Sequence, residues 1–213
     1  MPLQALSTSP KNPPKGLLVL LHGWGANAQD VAALAPYLPL PDYQMIFPDA
    51  PFPYPHMPEG RMWYDLPETY SFRSSPDFSQ QPQLLESRKQ LTEWLCSLES
   101  ATGIPLEQTV LAGFSQGGAM TLDVGLRLPL KALVVLSGYL HAPIELAASE
   151  AKVPSVLMAH GRQDLVVPLA AALQARDSLM QLGVAVDYQE LDMGHEIQPA
   201  VLDVLKNFME AQS

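Results

Sequence analysis

The stretch Thr109-Val-Leu-Ala-Gly-Phe-Ser-Gln-Gly-Gly-Ala119 holds the residues best suited to chemistry. Within it, Gly113-Phe114-Ser115-Gln116-Gly117 has the Gly-x-Ser-x-Gly spacing of a nucleophile elbow, a sharp turn that lifts a serine hydroxyl clear of the backbone. The two glycines remove Cβ atoms that so tight a bend would crowd. The serine then stands at the start of a helix, where free N–H groups and the positive end of the dipole favour a developing oxyanion. Alone the pentapeptide is weak, since a random chain of this length carries it roughly once in fifteen cases. Its setting adds the weight: an apolar run, Val110 to Ala112, enters the turn, and a helical pattern leaves it from Gly118 towards Leu128.

Serine is a poor nucleophile at neutral pH and needs a base in hydrogen-bond reach, itself oriented by a carboxylate. In an open parallel sheet such groups collect at the carboxyl ends of the strands. Asp164, in Ala159-His-Gly-Arg-Gln-Asp164, follows one apolar run, and His195, in Leu191-Asp-Met-Gly-His195, follows another. The order Ser115, Asp164, His195 is the chain order of α/β-hydrolases. Ser115 is therefore expected as nucleophile, His195 as base and then acid, and Asp164 as the group that holds the imidazole's tautomer.

Other histidines and acids compete for these roles. His22 and His160 each lie between an apolar strand and a glycine, which suits a structural hydrogen bond at a strand end. His56 falls in a Pro-rich loop and His141 in a turn, with no carboxylate placed to serve them. Asp187 falls mid-strand, and Asp192, three residues from His195, reads as a solvated turn residue. Asp49 and Asp65 border the long loop and could line a pocket. Acyl transfer also needs two oxyanion donors. One is the N–H of the residue after the nucleophile, Gln116; the other comes from the loop after the first buried strand, where His22-Gly-Trp-Gly25 offers the main chain of Trp24. The plain alternative is that Gly23 and Gly25 simply make a turn. No His/Asp/Glu cluster has metal-ligand spacing, so no metal is expected.

The elements that must carry these residues alternate. Leu17-Leu-Val-Leu-Leu21, Tyr43–Phe47, Ala132–Leu136 and Val153–Ala159 read as strands, the first an apolar run typical of a strand covered on both faces. Val184 to Leu191 alternates like an edge strand. Helical patterns fall at 27–34 with Asn27 as cap, 83–100, 169–182 ending at Gly183, and 197–209. Such βαβ alternation implies a mostly parallel sheet with helices on both faces, in one domain over 1–213. Between 49 and 78 runs a Pro- and aromatic-rich stretch with Phe52, Tyr54, Met57, Trp63, Tyr64, Tyr70 and Phe72, and a loop that long is usually functional.

Composition sets bounds. Hydrophobic residues at 47% and charged residues at 16% supply a core, and the formal net charge of −10 disfavours nucleic acid and stable docking to an anionic membrane. The one cysteine, Cys96, permits no intrachain disulfide and reads as a buried position of the 83–100 helix. No targeting signal or membrane-length apolar run is visible, so the chain reads as soluble and cytoplasmic.

Taken together, His22-Gly-x-Gly25, Gly113-Phe-Ser-Gln-Gly-Gly118, His160-Gly-x-x-Asp164 with Val167-Pro168, and Gly194-His195 resemble the carboxylesterase/acyl-protein thioesterase/lysophospholipase family of small serine hydrolases. Arg61-Met-Trp-Tyr-Asp65 is similar to an Arg-x-Trp-Tyr-Asp signature of that group, and the resemblance runs from about Leu17 to Phe208. It implies an α/β-hydrolase fold without a large cap domain, and hydrolysis of carboxylic esters or thioesters with no cofactor. It also implies an acyl groove partly walled by the 50–78 loop. The candidate lining is Met57, Trp63, Tyr64 and Phe72, although in a Pro-rich loop these side chains could equally pack on the domain's own surface. Two departures stand out: Trp24 where the family often has Leu, and an N-terminus that leaves the leading antiparallel strands reduced or absent.

The resulting expectation is a serine carboxylesterase acting on a small-molecule ester of small to medium acyl chain. An acyl-protein thioesterase or a lysophospholipase would use the same three residues. A non-catalytic ligand-binding relative would lack one of them, and none is missing. A peptidase would call for a gating propeller or large cap, which nothing here resembles.

Overall fold

A computed structural model of the chain describes residues 3–10, 12–67, 78–146 and 153–212. In chain order the strands are β1 (Ala5–Ser7), β2 (Gly16–Leu21), β3 (Tyr43–Pro48), β4 (Phe52–Pro53), β5 (Arg61–Met62), β6 (Thr109–Phe114), β7 (Ala132–Leu136), β8 (Ser155–Gly161) and β9 (Val186–Leu191). The α-helices are α1 (Ala28–Ala32), α2 (Pro82–Thr102), α3 (Gln116–Gly125), α4 (Leu169–Gln181) and α5 (Pro199–Ala211). Seven strands form one sheet in the order β1-β3-β2-β6-β7-β8-β9, parallel throughout except for the β1–β3 pair. The expected reduction of the leading strands takes the form of β1, a three-residue antiparallel strand at the sheet edge.

Why the central strands are apolar at every position follows from what covers them. Leu17, Val19 and Leu21 of β2, Leu111 of β6, and Leu133 and Val135 of β7 face one core, shared with Leu84, Leu91 and Leu95 of α2, Met120 of α3 and Leu179 of α4. Leu18, Leu20, Val110, Ala112, Val134 and Leu136 face the other, shared with Ala28 and Val31 of α1 and Val201, Leu202 and Leu205 of α5. Successive side chains of a strand point to opposite faces, so helices on both sides demand an unbroken apolar run. β9, at the edge, is only partly buried and alternates, as its sequence predicts.

Local signals account for the ends. Asn27 caps α1 through Gln29 and Asp30, and Asp30 reciprocates to the Asn27 N–H. α2 stops at Gly103, whose left-handed φ of 76° suits glycine. Cys96 departs from expectation: it is exposed. The buried stripe of α2 is Leu84, Ser87, Leu91, Trp94, Leu95 and Leu98, and Cys96 sits one residue, about 100° of helix, beyond Leu95. Part of the long irregular stretch is also more regular than its composition suggests, since β4 and β5 pair as a short antiparallel ladder. Tyr70 and Phe72 lie outside the described residues.

The register brings the carboxyl ends of the strands level. Leu21 pairs with Gly113, Phe114 with Leu136, Leu136 with Ala159, and Gly161 with Leu191. The segments after β2, β6, β8 and β9 therefore leave the sheet along one rim. Because β2 is flanked by β3 on one side and β6 on the other, the chain reverses its direction of winding there, and ligand crevices form at such switch points.

Candidate active site

Ser115 occupies the turn between β6 and α3 with φ 54° and ψ −116°, a conformation that a non-glycine residue adopts only under constraint. Its N–H donates to Leu136 O at 2.8 Å, and its carbonyl accepts from Ala119 N–H at 3.1 Å, so the sheet on one side and the helix on the other hold the strained residue. The flanking glycines are required sterically. A Cβ on Gly113 would stand 2.2 Å from the carbonyl oxygen of Gly117, and one on Gly117 would stand 2.6 Å from the carbonyl oxygens of Leu21 and His22.

Two other strand ends bring the remaining candidates to that hydroxyl. His195 lies after β9, with Nε2 at 2.9 Å from Ser115 Oγ and Nδ1 at 2.7 Å from Asp164 Oδ2. Asp164, after β8, has a fully buried side chain. Its Oδ1 accepts from the N–H groups of Val166 and Val167 at 2.9 and 2.8 Å, which aims Oδ2 at the imidazole. The carboxylate thus holds the Nδ1–H tautomer and leaves the Nε2 lone pair facing the hydroxyl. Gly161 admits the close approach of the 193–195 segment, because a Cβ there would lie 2.4 Å from Met193 O. The ring of Phe114 flanks His195 at 4.8 Å.

His22 and His160 take the structural places expected of them. His22 Nδ1–H donates to Gly23 O at 2.7 Å, its Nε2 accepts from Ala50 N–H at 3.0 Å, and burial lowers its pKa, so it stays neutral. His160 Nε2–H donates to Val167 O at 2.8 Å beside Asp164, and burial lowers its pKa too. Asp192 is the exposed partner of Arg162. Asp49 Oδ1 accepts from Ala28 N–H at 2.8 Å. Asp49 also lines, with Gln4, Asn27 and Arg61, a hollow of about 310 Å³ that includes none of Ser115, Asp164 and His195.

Oxyanion donors have candidates on both sides of the hydroxyl. The N–H of Gln116 opens α3, and that of Trp24 lies in the loop after β2; neither meets an acceptor among the described residues. The Trp24 indole is 38% exposed and packs edge-on against Tyr54 at 4.8 Å, which in turn meets His56 at 5.3 Å. With Met57 at 51%, and with Leu165 at 94% and Val166 at 58% beside Asp164, these side chains present apolar surface to solvent.

Trp63 and Tyr64, expected among the lining residues, are instead fully buried. The indole N–H of Trp63 donates to His22 O at 3.1 Å, and Tyr64 Oη stands 2.7 Å from Tyr139 Oη and 2.9 Å from His141 Nδ1. Their surface is consumed by the core, the packing alternative that a Pro-rich loop left open. Phe72 lies outside the described residues.

His141 also departs from expectation, because it does have a carboxylate. Its Nε2 lies 3.0 Å from Oδ2 of Asp123, a largely buried residue of α3, and Asp123 also pairs with Arg88 and Arg127. Burial alone would raise the Asp123 pKa, but the hydrogen bond and charge of His141, then those of Arg88, outweigh it and bring the carboxyl to about 2. A depressed folded-state pKa contributes stability that is present above the unfolded value near ~3.9 and lost as pH falls towards ~2. Asp123→Asn is expected to cost about 2 kcal/mol at pH 7, since it leaves the partly buried Arg88 and Arg127 without their carboxylate. The same variant should flatten the pH dependence of stability between ~4 and ~2, where this carboxylate gains its proton. Urea denaturation of both proteins at pH 7 and pH 3 measures the difference; equal losses at the two pH values would refute it.

Among the described residues no group of three or more His, Cys, Asp or Glu side chains could hold a metal ion, and no helix is long and apolar enough to cross a membrane.

Comparison with known proteins matches residues 4–213 to the model of a family described as phospholipase/carboxylesterase. The lysophospholipase-like protein 1 of Mus musculus is 27% identical over 94% of this chain and 88% of its own length. An acyl-protein thioesterase 1 of Cryptococcus neoformans is 29% identical over 84% of this chain and 79% of its own. Among solved structures, the esterase PE8 superposes with a TM-score of 0.89 at 31% identity over the whole of both chains. The architecture shared with these structures is the α/β-hydrolase fold, with no large cap among the described residues.

Proposed function

The chain belongs to the phospholipase/carboxylesterase family and is a serine hydrolase of ester or thioester bonds; from that premise we propose that it hydrolyses carboxylic esters of small to medium acyl chain through an acyl-enzyme on Ser115. The observation that carries this reading is the imidazole of His195, hydrogen-bonded at once to Ser115 Oγ and to the buried Asp164.

In the proposed cycle, Ser115 Oγ attacks the ester carbonyl carbon while its proton passes to His195 Nε2. The carbonyl oxygen becomes an oxyanion facing the main-chain N–H groups of Trp24 and Gln116. Collapse of that intermediate breaks the bond to the alcohol, which leaves with the proton from His195. Water then enters, gives a proton to the same nitrogen and attacks the acyl carbon; carboxylic acid and free Ser115 result. Asp164 keeps the ring in register and balances its transient positive charge.

Chain length is inferred from what walls the site. Among the described residues, Trp63 and Tyr64 belong to the core, and Trp24, in the loop after β2, Met57, and Leu165 and Val166, beside Asp164, are apolar side chains left exposed. A small-molecule ester that rests its acyl group on these side chains fits that surface. The cytoplasm is the proposed compartment, where the exposed thiol of Cys96 stays reduced. A second reading, long-chain thioester or lysophospholipid hydrolysis, draws on the names of the relatives at 27 to 29% identity. The test is kcat/KM for p-nitrophenyl esters and matching thioesters from acetyl to palmitoyl. A maximum among acyl chains of about eight carbons or fewer is expected, since each further buried CH₂ is worth only about 0.8 kcal/mol and then only where a wall exists to cover it. A maximum at palmitoyl would replace the first reading with the second.

A further inference from the structure

Gln116 is buried, 1% exposed, and its side chain is bonded to the backbone of Trp63 and Tyr64. A buried primary amide carries an acceptor and two donors that must be answered. Here Oε1 accepts from Trp63 N–H at 2.9 Å, and Nε2 donates to Tyr64 O at 2.7 Å. Only this orientation of the amide satisfies both main-chain groups. Two residues earlier in the same strap, Arg61 O accepts from Gly25 N–H at 2.9 Å and Arg61 N–H donates to Ala26 O at 2.8 Å. Those bonds fix the loop that presents Trp24, which its flanking glycines would otherwise leave loose. A closed path results: the N–H of Gln116, its own side chain, the strap from Tyr64 back to Arg61, then Gly25, then the N–H of Trp24.

We propose that the Gln116 side chain is a positioning residue for the oxyanion hole, setting the spacing of the Trp24 and Gln116 N–H donors through the Arg61–Tyr64 strap. The proposal rests on the esterase reading above and extends it. The physical requirement is preorganisation: donors aimed at the developing oxyanion help only if they need not move when charge appears. One donor sits on a helix and the other on a partly exposed loop, so something must couple them. The strap has further anchors, Ser87 Oγ–H donating to Trp63 O and the Trp63 indole donating to His22 O. Loss of the Gln116 amide therefore loosens the coupling without releasing the strap.

The test is Gln116→Met, near in volume but without the amide. Rates are taken per active site, counted by fluorophosphonate titration, on protein whose folding is checked by circular dichroism. An alkyl trifluoromethyl ketone serves as probe, because Ser115 Oγ adds to its carbonyl and the bond's electron pair becomes an oxyanion, while the serine proton goes to His195. The expected result is a fall in kcat of about 10- to 100-fold, with KM within about twofold, and a rise in the ketone's inhibition constant by the same factor, somewhat less than removal of a whole donor. A purely structural role would lower the number of titratable sites but not the rate per site. Unchanged kcat per site overturns the proposal, as does a fall in kcat that leaves ketone affinity untouched. If Gln116→Met does not fold, Ser87→Ala loosens the same strap from its other side; a paired loss of at least about threefold in kcat and ketone affinity supports the proposal, and no paired loss overturns it. Turnover by the unaltered protein and its disappearance in Ser115→Ala judge the esterase reading separately.

Discussion

Ser115→Ala is expected to lower kcat for an activated aryl ester by about a million-fold, with KM little changed. The size of the effect follows from what the hydroxyl does. In the proposed cycle, loss of Oγ removes both the acyl-enzyme and the proton that His195 accepts, so removing the nucleophile should cost nearly as much as removing all three residues together. Background hydrolysis from the oxyanion donors and substrate positioning alone should persist. The variant deletes one half-buried hydroxyl and leaves the main-chain bonds to Leu136 and Ala119 in place, so it should fold normally. Burst kinetics and fluorophosphonate labelling check it: the wild-type chain should acylate and label at Ser115, and the variant should do neither. Turnover within tenfold of wild type would remove the basis of the mechanism.

Asp164→Asn comes second, with an expected loss in kcat on the order of 10⁴-fold. Asn is nearly isosteric, and its carbonyl oxygen can still accept from Val166 and Val167, so the loop should keep its shape. The amide nitrogen then replaces Oδ2 and points a donor at His195 Nδ1. The imidazole responds by carrying its proton on Nε2, where it faces Ser115 Oγ and can no longer act as base. The discriminating measurement pairs kcat with thermal denaturation. A large loss of rate at nearly unchanged Tm supports the tautomer argument, whereas equal collapse of both would point to a structural role for Asp164 alone.

Some of this molecule is legible residue by residue because the constraint is local. Gly113 and Gly117 announce the elbow because any Cβ there would strike the backbone of a neighbouring segment. The unbroken apolar runs of β2 and β7 announce strands covered on both faces, and Asn27, Gly103 and Gly183 mark where helices begin or end. Even the meeting of Ser115, Asp164 and His195 has a sequence-level basis: each follows an apolar run, and parallel strands send such segments to one rim. Where expectation and structure part, the partners are distant. Trp63 looked like a groove aromatic, but its N–H meets Gln116, 53 residues on, and nothing near either residue encodes that bond. Asp123 and His141 are 18 residues apart and meet only because α3 packs beside the turn after β7. Cys96 stands a single residue of helical phase off the buried stripe of α2, a difference that the spacing of its apolar neighbours does not resolve.

Fold class, family and the positions of the candidate reacting groups were therefore written in the chain itself, because strand burial and tight turns each restrict residue type at the position concerned. Which aromatics fill the core, and how the Gln116 amide ties the start of α3 to the 61–64 segment, emerged only on folding. Those outcomes depend on hydrogen bonds and packing between segments that no local rule relates.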